Sequence, residues 1–274
     1  MDEQLYLAGL GLSLPEKVEK AIATFRHYES EALKYSPGGY YLCDSYGKDS
    51  CVILDLAKRS GVKFTANHNL TTLDPPELIY FGRKNHPETI VHRPKVAMLT
   101  RLANEKLVLP TRMMRWCCQE YKEDSAHNLV KVYGIRASES SSRKANWKIF
   151  TPRREQDGWA LNPVLYWSDD NVWQYINQNK IKYCSLYDDG FTRLGCIGCP
   201  MSNKRRKEFD RWPRYERAWK MAITKFWERL HSAKRRDGKD YYWHKFESPA
   251  DLWSWWMEEM PKEDKGDECQ MGLF

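Results

Sequence analysis

Two strand-turn-helix units follow one another between residues 40 and 77, and this pattern limits the possible folds more than any other feature of the chain. Tyr40–Cys43 is β-prone and is followed, from Cys51, by apolar residues at helical spacing. Val62–His68 has the pattern of a second strand, and Thr71–Glu77 opens a second helix. Strands that alternate with helices pair in parallel, so we predict an α/β fold with a doubly wound, mostly parallel, Rossmann-like sheet.

Further elements extend this pattern along the chain. Residues 15–34 have helical spacing, and Val130–Gly134 is predicted to be another strand. Asn162–Ser168 is predicted to be a proline-bearing strand that leads into a helix. The core face of that helix is predicted to consist of Val172, Trp173 and Ile176.

The composition argues against several classes of protein. Charged residues make up 30% of the 274 residues and apolar runs are short, so we predict no transmembrane helix and no membrane partner. The first residues, Met1–Gln4, lack the basic region of a signal peptide. Eight cysteines without such a signal argue against a disulfide framework, and we predict a cytoplasmic protein. The net charge of +7 favours a polyanionic partner.

The turn after the first strand, Ser45–Ser50, has the features of an anion site. Gly47 lets the backbone approach a ligand, Lys48 adds a point charge, and the two terminal serines offer hydroxyl donors. Backbone amides at the start of the following helix also attract anions. The alternative is an ordinary strand-to-helix turn capped by Asp or Ser. The spacing does not fit a Walker A loop.

This turn resembles the S-G-G-K-D-S pyrophosphate loop of the N-type ATP pyrophosphatase and phosphoadenosine-phosphosulfate (PAPS) reductase superfamily, with Tyr46 in place of the first glycine. The resemblance covers about residues 38–200. It implies a PP-loop that binds ATP with Mg²⁺ and grips the β- and γ-phosphates while the α-phosphate is attacked. The loop residues that would bind the nucleotide are Ser45, Tyr46, Gly47, Lys48, Asp49 and Ser50.

Two further turns resemble those of the same superfamily. The second turn carries Thr72 and Asp74, and Asp74 either caps the next helix or helps to hold Mg²⁺ or the ribose. A G-I-R-x-x-E-S segment contains Arg136 and Glu139, where a guanidinium can bind a phosphate oxygen. A surface salt bridge is the alternative, and the resemblance favours nucleotide binding. It implies that Lys48, Asp49, Asp74 and Arg136 are the catalytic residues.

Four cysteines form two closely spaced pairs, which suits a metal: Cys117, Cys118, Cys196 and Cys199. Their thiolates suit Zn²⁺ or a 4Fe–4S cluster. Adjacent cysteines chelate a single zinc poorly, and the layout resembles that of cluster-containing sulfonucleotide reductases, so we favour the cluster over zinc or unmetallated core thiols. Cys184 could replace a member of the first pair, whereas Cys43 and Cys51 are predicted to be buried.

The C-terminal tail carries two weaker signals. Sulfonucleotide reductases have a catalytic cysteine in a Glu-Cys-Gly-(Ile/Leu)-His run, and here only Glu268–Cys269 matches. Acidic neighbours should raise the pKa of the Cys269 thiol, which makes it a doubtful nucleophile. Gln270–Phe274 resembles the Q-L-x-L-F peptide that docks on the bacterial sliding clamp. A frayed tail is the alternative.

The stretch from residue 204 to residue 236 is strongly basic, with thirteen Lys or Arg against four Asp or Glu. Its aromatic residues have helical spacing and are predicted to lie in the core: Trp212, Tyr215, Trp219 and Phe226. The basic residues then face either solvent alone or a nucleic acid. Trp253, Trp255 and Trp256 are predicted to pack a final helix. We predict a PP-loop and cluster domain over residues 1–200 and a helical extension with a tail over residues 201–274.

Three functions compete. The first is an ATP pyrophosphatase that adenylates a substrate, predicted to be nucleic acid, for sulfur incorporation, with a sulfur donor such as a cysteine desulfurase. The second is a reductase of PAPS or adenosine phosphosulfate (APS), and the third is a non-catalytic nucleic-acid-binding module. The intact Gly47–Ser50 run and the incomplete tail motif favour the first. A homodimer is a further expectation.

Overall fold

A computed structural model describes residues 11–123, 126–153 and 158–258 of the chain, and a six-stranded sheet lies at its centre. The strands are β1 (Tyr40–Cys43), β2 (Phe64–Asn69), β3 (Ile90–His92), β4 (Val130–Val132), β5 (Phe150–Arg153) and β6 (Gly158–Leu161). The helices are α1 (Leu14–Tyr35), α2 (Lys48–Ser60), α3 (Pro76–Asn85), α4 (Met98–Asn104), α5 (Trp116–Cys118), α6 (Ser141–Asn146), α7 (Asp169–Gln178), α8 (Arg205–Arg211), α9 (Pro213–His231) and α10 (Pro249–Glu258).

The order of the strands is β3-β2-β1-β4-β6-β5. All neighbours pair in parallel except β5, which runs antiparallel to β6. Leu42 of β1 lies between Ala66 of β2 and Val132 of β4. The chain builds the sheet outward from β1 on one side and then returns to its other side, so the switch point lies between β1 and β4. This confirms the predicted doubly wound, mostly parallel α/β fold.

One face of the sheet is covered by α1, α2 and α7. Helix α1 begins after Ser13, whose hydroxyl and amide contact the Glu16 carboxylate in a capping box. Its apolar stripe buries Val18, Ala21 and Phe25 against the sheet, as the spacing predicts.

Helices α3 and α4 and the C-terminal helices α8 to α10 share a second apolar core, to which the described strands contribute no residue. Trp219 and Phe226 of α9 and Trp256 of α10 are fully buried, and they share one apolar core with Leu78 and Phe81 of α3. The helical spacing of the aromatic residues therefore predicted this packing correctly. As a result, the C-terminal helices lie directly on the elements that form the carboxyl edge of the sheet.

The prediction of a proline-bearing strand over Asn162–Ser168 is wrong. Strand β6 ends at Leu161, and the following residues form turns before α7 begins. Pro163 has no N–H with which to extend the ladder, and the Leu165 amide bonds back to the Asn162 carbonyl at 3.2 Å. The predicted core face of α7 is correct for Val172 and Ile176, whereas Trp173 is half-buried.

Across the described ranges, none of the helices combines the length and the apolarity needed to span a bilayer.

Candidate nucleotide site and cysteine cluster

The turns that follow β1, β2, β4 and β6 lie at one edge of the sheet, because these four strands are parallel. The chain therefore brings the predicted loop Ser45–Ser50, the Thr71–Glu77 turn and the Arg136 segment to a common edge. The turn that leads into Asp169 reaches the same edge after β6. This edge is the candidate functional site.

Tyr46 is built into the core and not into the open part of the site. Its backbone has φ 61°, a left-handed conformation that non-glycine residues rarely adopt. Its side chain is 1% exposed and stacks on His68, with ring centroids 4.0 Å apart. The ring also lies directly over Gly82 of α3, where an added Cβ would come within 2.3 Å of it. At the position where the family loop has a glycine, the Tyr46 ring thus anchors the loop to His68 and to α3.

Asp44 ties this anchor to the sheet. Its carboxylate accepts hydrogen bonds from the Tyr46 amide at 3.0 Å, from His86 Nδ1 at 2.6 Å and from Thr89 Oγ1 at 2.9 Å. His68 Nδ1 lies 2.8 Å from the Asp44 carbonyl. Burial alone would raise the pKa of Asp44, but the hydrogen bond and charge of His86 hold it below its ordinary value. This buried network was not predicted from the sequence.

The start of α2 carries a cluster of two cations and two carboxylates. Lys48 Nζ lies 3.1 Å from Asp49 and 2.9 Å from Asp169. Arg136 bridges the same carboxylates, with Nε 2.7 Å from Asp49 and Nη2 2.8 Å from Asp169. The side chains of Lys48 and Arg136 are only 5% and 4% exposed, whereas that of Asp169 is 57% exposed. The structure thus brings Lys48, Asp49 and Arg136 together.

Asp169 was missed in the sequence analysis. The available signal was its place in the first turn of a helix at the same sheet edge, but acidic residues are common in first turns for electrostatic reasons. Burial would raise the pKa of Asp169, yet the hydrogen bond from Lys48 and the charge of Arg136 lower it. Asp169 therefore remains ionised and occupies the position of an anion between two buried cations.

The loop hydroxyls and amides bond mainly to one another and to Tyr187. The Lys48 amide donates to the Tyr187 hydroxyl at 2.9 Å, so this hydroxyl holds a position that suits a ligand oxygen. Ser50 Oγ donates a hydrogen bond to the Gly47 carbonyl at 2.9 Å and accepts one from the Ser45 hydroxyl at 3.3 Å. Gly47 itself has φ −74°, so the strained position of the loop is the preceding residue.

The other predicted nucleotide-binding residues make capping contacts. Asp74 accepts the Thr71 amide at 2.8 Å, and Thr72 Oγ1 accepts the Met98 amide at 3.0 Å. Glu139 accepts the Arg136 amide at 3.0 Å and also pairs with Arg143. In the described part of the chain, no hydrogen bond or ion pair joins Asp74, Thr72 or Glu139 to Lys48.

The C-x-x-C segment packs directly on the turn that follows β2. Cys196 Sγ donates to Thr71 Oγ1 at 3.3 Å, and the Ile197 amide donates to the Leu73 carbonyl at 2.7 Å. Gly198 has φ 76°, and a Cβ there would lie 2.6 Å from both Phe209 and Trp219. The glycine between the two cysteines therefore lets α8 and α9 approach the thiols closely.

The two cysteine pairs lie in one neighbourhood. The thiol of Cys117 interacts electrostatically with Cys118, Cys196 and Cys199. A hydrogen bond from Cys117, together with the charge of Lys122, lowers the pKa of Cys118 below its ordinary value, although burial acts in the opposite direction. Burial raises the pKa of Cys196 to about 11. As they stand in the described ranges, however, no three His, Cys, Asp or Glu side chains have the arrangement of a metal site.

Three further cysteines belong to the described part of the chain: Cys43, Cys51 and Cys184. Cys51 and Cys184 are buried near one another, and Cys51 Sγ is 3.7 Å from His86 Nε2. Burial raises the pKa of Cys51, and it raises that of the half-buried Cys43 to about 12. Cys269 and the clamp-like segment Gln270–Phe274 lie outside the described residues.

The sequence matches the phosphoadenosine phosphosulfate reductase domain family over residues 40–202. Because this match spans more than half of the chain, the protein belongs to that family, as the resemblance predicted.

Individual relatives are more distant. An adenosine 5'-phosphosulfate reductase of Oceanobacillus iheyensis is 26% identical over 63% of this chain and 76% of its own length. The protein MJ0066 of Methanocaldococcus jannaschii is 30% identical over 39% of this chain, and that match spans only 26% of the relative. Among solved structures, the PAPS reductase of Candida auris in a phosphate complex is 18% identical, with a TM-score of 0.48 over 71% of this chain and 93% of its own.

Proposed function

We propose that this protein is an ATP pyrophosphatase that adenylates a nucleic acid, so that sulfur can then be incorporated by phosphorothioation or thiolation. The observation that carries this proposal is the balanced cluster of Lys48, Arg136, Asp49 and Asp169 at the start of α2. Its formal charges cancel, so a metal-free anion gains little net attraction there. A triphosphate with bound Mg²⁺ brings both signs of charge and suits the cations and the carboxylates together.

The chain's own residues have clear roles in such a reaction. An oxygen of the substrate attacks the α-phosphorus of ATP, the new P–O bond forms, and the bond to the departing pyrophosphate breaks. Lys48 and Arg136 would stabilise the charge that develops on the pyrophosphate. Asp49 and the exposed Asp169 offer carboxylate oxygens, the ligand type that Mg²⁺ prefers. When bound, the metal would neutralise phosphate charge.

The four paired cysteines are the proposed ligands of a 4Fe–4S cluster, with Zn²⁺ as the alternative. Four soft thiols in one neighbourhood are a fitting donor set, although they need to rearrange to ligate. A bound cluster would supply sulfur chemistry beside the turn that carries Thr71 and Asp74. Protein purified without oxygen should be brown; a colourless protein with one zinc per chain would contradict the cluster.

The basic C-terminal helices support a polymeric substrate. Arg206, Arg214, Arg217 and Lys225 are exposed and have no acidic partner in the described part of the chain. Phosphate groups of a nucleic acid are the partners that such a surface attracts. A cysteine desulfurase as sulfur donor, a sliding clamp bound by the tail, a homodimer and a cytoplasmic location belong to the same proposal.

Reduction of APS or PAPS is the second candidate. It is supported by the relatives named adenosine 5'-phosphosulfate reductase, one of which is matched over 76% of its length. Against it stand the triphosphate-type loop and the incomplete cysteine motif at Cys269.

One experiment decides between these candidates. The protein is incubated without oxygen with ATP, APS or PAPS and a dithiol as electron donor, and release of pyrophosphate and of sulfite is measured with and without nucleic acid. We expect pyrophosphate from ATP, and we expect Lys48→Ala to slow its release about a hundredfold or more. Lys58→Ala, at an exposed position of the same helix, is the matched control and should not change the rate. Sulfite release without ATP consumption would refute the proposal.

Asp169→Asn tests whether the charge balance of the cluster selects ATP with bound Mg²⁺ over a metal-free anion. Removal of this carboxylate should weaken Mg²⁺-dependent ATP binding roughly tenfold, the size of one charged contact. The same change leaves Lys48 and Arg136 in excess, so it should strengthen binding of metal-free sulfate. Isothermal titration with each ligand measures both effects, and weaker binding of both ligands would contradict the charge-balance argument.

A further inference from the structure

A cleft of about 640 Å³ opens between α3 and the segment that follows α7, away from the Lys48 cluster. Tyr80 and Lys84 line it from α3, and Lys182, Tyr183 and Ser185 line it from the other side. Its size lies within the range of small-ligand sites. The nucleotide chemistry proposed above does not use any of these side chains.

Two tyrosine rings give the cleft aromatic surfaces. Tyr80 is 68% exposed, and Lys84 Nζ lies 6.0 Å from its ring centre. Tyr183 is held in place, because its hydroxyl donates to Asp188 at 3.0 Å and its ring meets Trp173 edge-on at 5.2 Å. An exposed ring opposite a fixed ring is suited to stacking with a flat, unpaired group.

The charge of the cleft favours an anionic occupant. Lys84 and Lys182 are exposed and form no ion pair with any described residue. The acidic side chain at the rim, Glu77, is already engaged, since it pairs with Arg211 at 3.3 Å and accepts the Trp212 indole at 3.1 Å. The free charges of the cleft are therefore positive.

The cleft is connected to the nucleotide loop by a single helical turn, Ser185–Tyr187. Ser185 lines the cleft, and the hydroxyl of Tyr187 accepts the backbone amide of Lys48 at 2.9 Å. An occupant of the cleft thus touches the same turn that contacts the first residue of α2.

From these observations we propose that the cleft binds an unpaired nucleotide of a single-stranded nucleic acid, with the base stacked on Tyr80 and the flanking phosphates held by Lys84 and Lys182. This inference rests on the proposed function and names the form of its polymeric substrate. A duplex keeps its base faces covered, so the aromatic surfaces select a single strand.

The test is binding of a short fluorescent single-stranded DNA, the same sequence as RNA, and the matching duplex, measured by fluorescence anisotropy without ATP. The wild-type protein should bind a single strand more tightly than the duplex. Tyr80→Ala should weaken single-strand binding about tenfold through lost stacking. The double variant Lys84→Ala/Lys182→Ala should reduce the slope of log affinity against log salt by about 1.4.

Tyr242→Ala is the matched control, because Tyr242 is 59% exposed with Lys245 Nζ 3.9 Å from its ring, yet it does not line the cleft. It should bind as the wild type does. Equal affinity for duplex and single strand, or unchanged binding by Tyr80→Ala, would overturn the inference. The binding assay contains no ATP, so it is independent of the catalytic assay. If the cleft binds a single strand but the protein does not release pyrophosphate, only the proposed catalysis is refuted. Pyrophosphate release without cleft-dependent binding would refute only the cleft.

Discussion

Gly82→Ala is expected to destabilise this protein, although alanine is the better helix former. An alanine Cβ at this position of α3 would lie 2.3 Å from two ring carbons of Tyr46 and 2.4 Å from a third. Carbon atoms in contact normally lie about 3.5–4.0 Å apart. The ring cannot retreat, because it stacks on His68 at 4.0 Å and meets His86 edge-on at 5.6 Å.

The expected magnitude follows from these contacts. Overpacking of a buried site costs about 1–3 kcal/mol, and the severity of this overlap points to the upper end. Replacing a helical glycine with alanine stabilises the helix by about 1 kcal/mol, which offsets part of this cost. Gly82→Ala should therefore lower the free energy of unfolding by about 2 kcal/mol in the wild-type background. With Tyr46→Gly the ring is absent, and the same change should stabilise by about 1 kcal/mol. The expected coupling is therefore about 3 kcal/mol.

Urea unfolding of the wild type, both single variants and the double variant, followed by tryptophan fluorescence, measures this coupling. Tyr46→Gly alone should still destabilise, because the lost burial of a large ring, about 3–5 kcal/mol, exceeds the relief of left-handed strain, about 1–2 kcal/mol. Gly195→Ala is the control, since its Cβ would meet open space, and it should be neutral in both backgrounds. An equal cost of Gly82→Ala with and without the Tyr46 ring would refute the reasoning.

Two further predictions concern buried charges. Asp44→Asn should cost about 3 kcal/mol at neutral pH. The pKa of Asp44 is lowered in the folded protein, so its carboxylate contributes fully to the free energy of unfolding above the ordinary carboxyl pKa. This contribution is lost as the pH falls through the folded-state pKa. The difference in free energy of unfolding between the wild type and Asp44→Asn, measured with urea, should therefore narrow below about pH 4. Arg205→Met should lower the melting temperature, because the buried guanidinium donates to the Trp256 and Met257 carbonyls at 2.8 and 3.2 Å. Arg206→Met, at an exposed neighbouring position, should leave the melting temperature unchanged, and equal shifts would contradict this role.

The site was partly predictable because its first part is local. The run Gly47–Ser50 places Lys48 and Asp49 at the start of a helix, and consecutive residues suffice to recognise that. Arg136 was predicted through its own family-like segment, and the structure brings it to 2.7 Å from Asp49. Asp169 carried no such segment. Its role depends on contacts with Lys48 and Arg136, which lie far away in sequence.

Tyr46 shows the limit of reading a substitution from sequence. A bulky residue in place of a loop glycine could either obstruct the pocket or point away from it. The sequence of the loop does not specify the direction of the side chain. The structure turns the ring into a space left by Gly82, which lies 36 positions later in the chain. The two residues compensate one another, and neither is informative alone.

The sequence by itself determined the alternation of strands and helices, the turn Ser45–Ser50 between β1 and α2, and the apolar faces of α1 and α9, since each depends on the spacing of near neighbours along the chain. Only the tertiary structure decided that β4 lies beside β1, that α8 to α10 share a core with α3 and α4, and that both cysteine pairs lie together. The physical reason is that strand order and helix docking are set by burial of surfaces from distant segments. Local periodicity specifies which face of an element is apolar, but not which other element covers it.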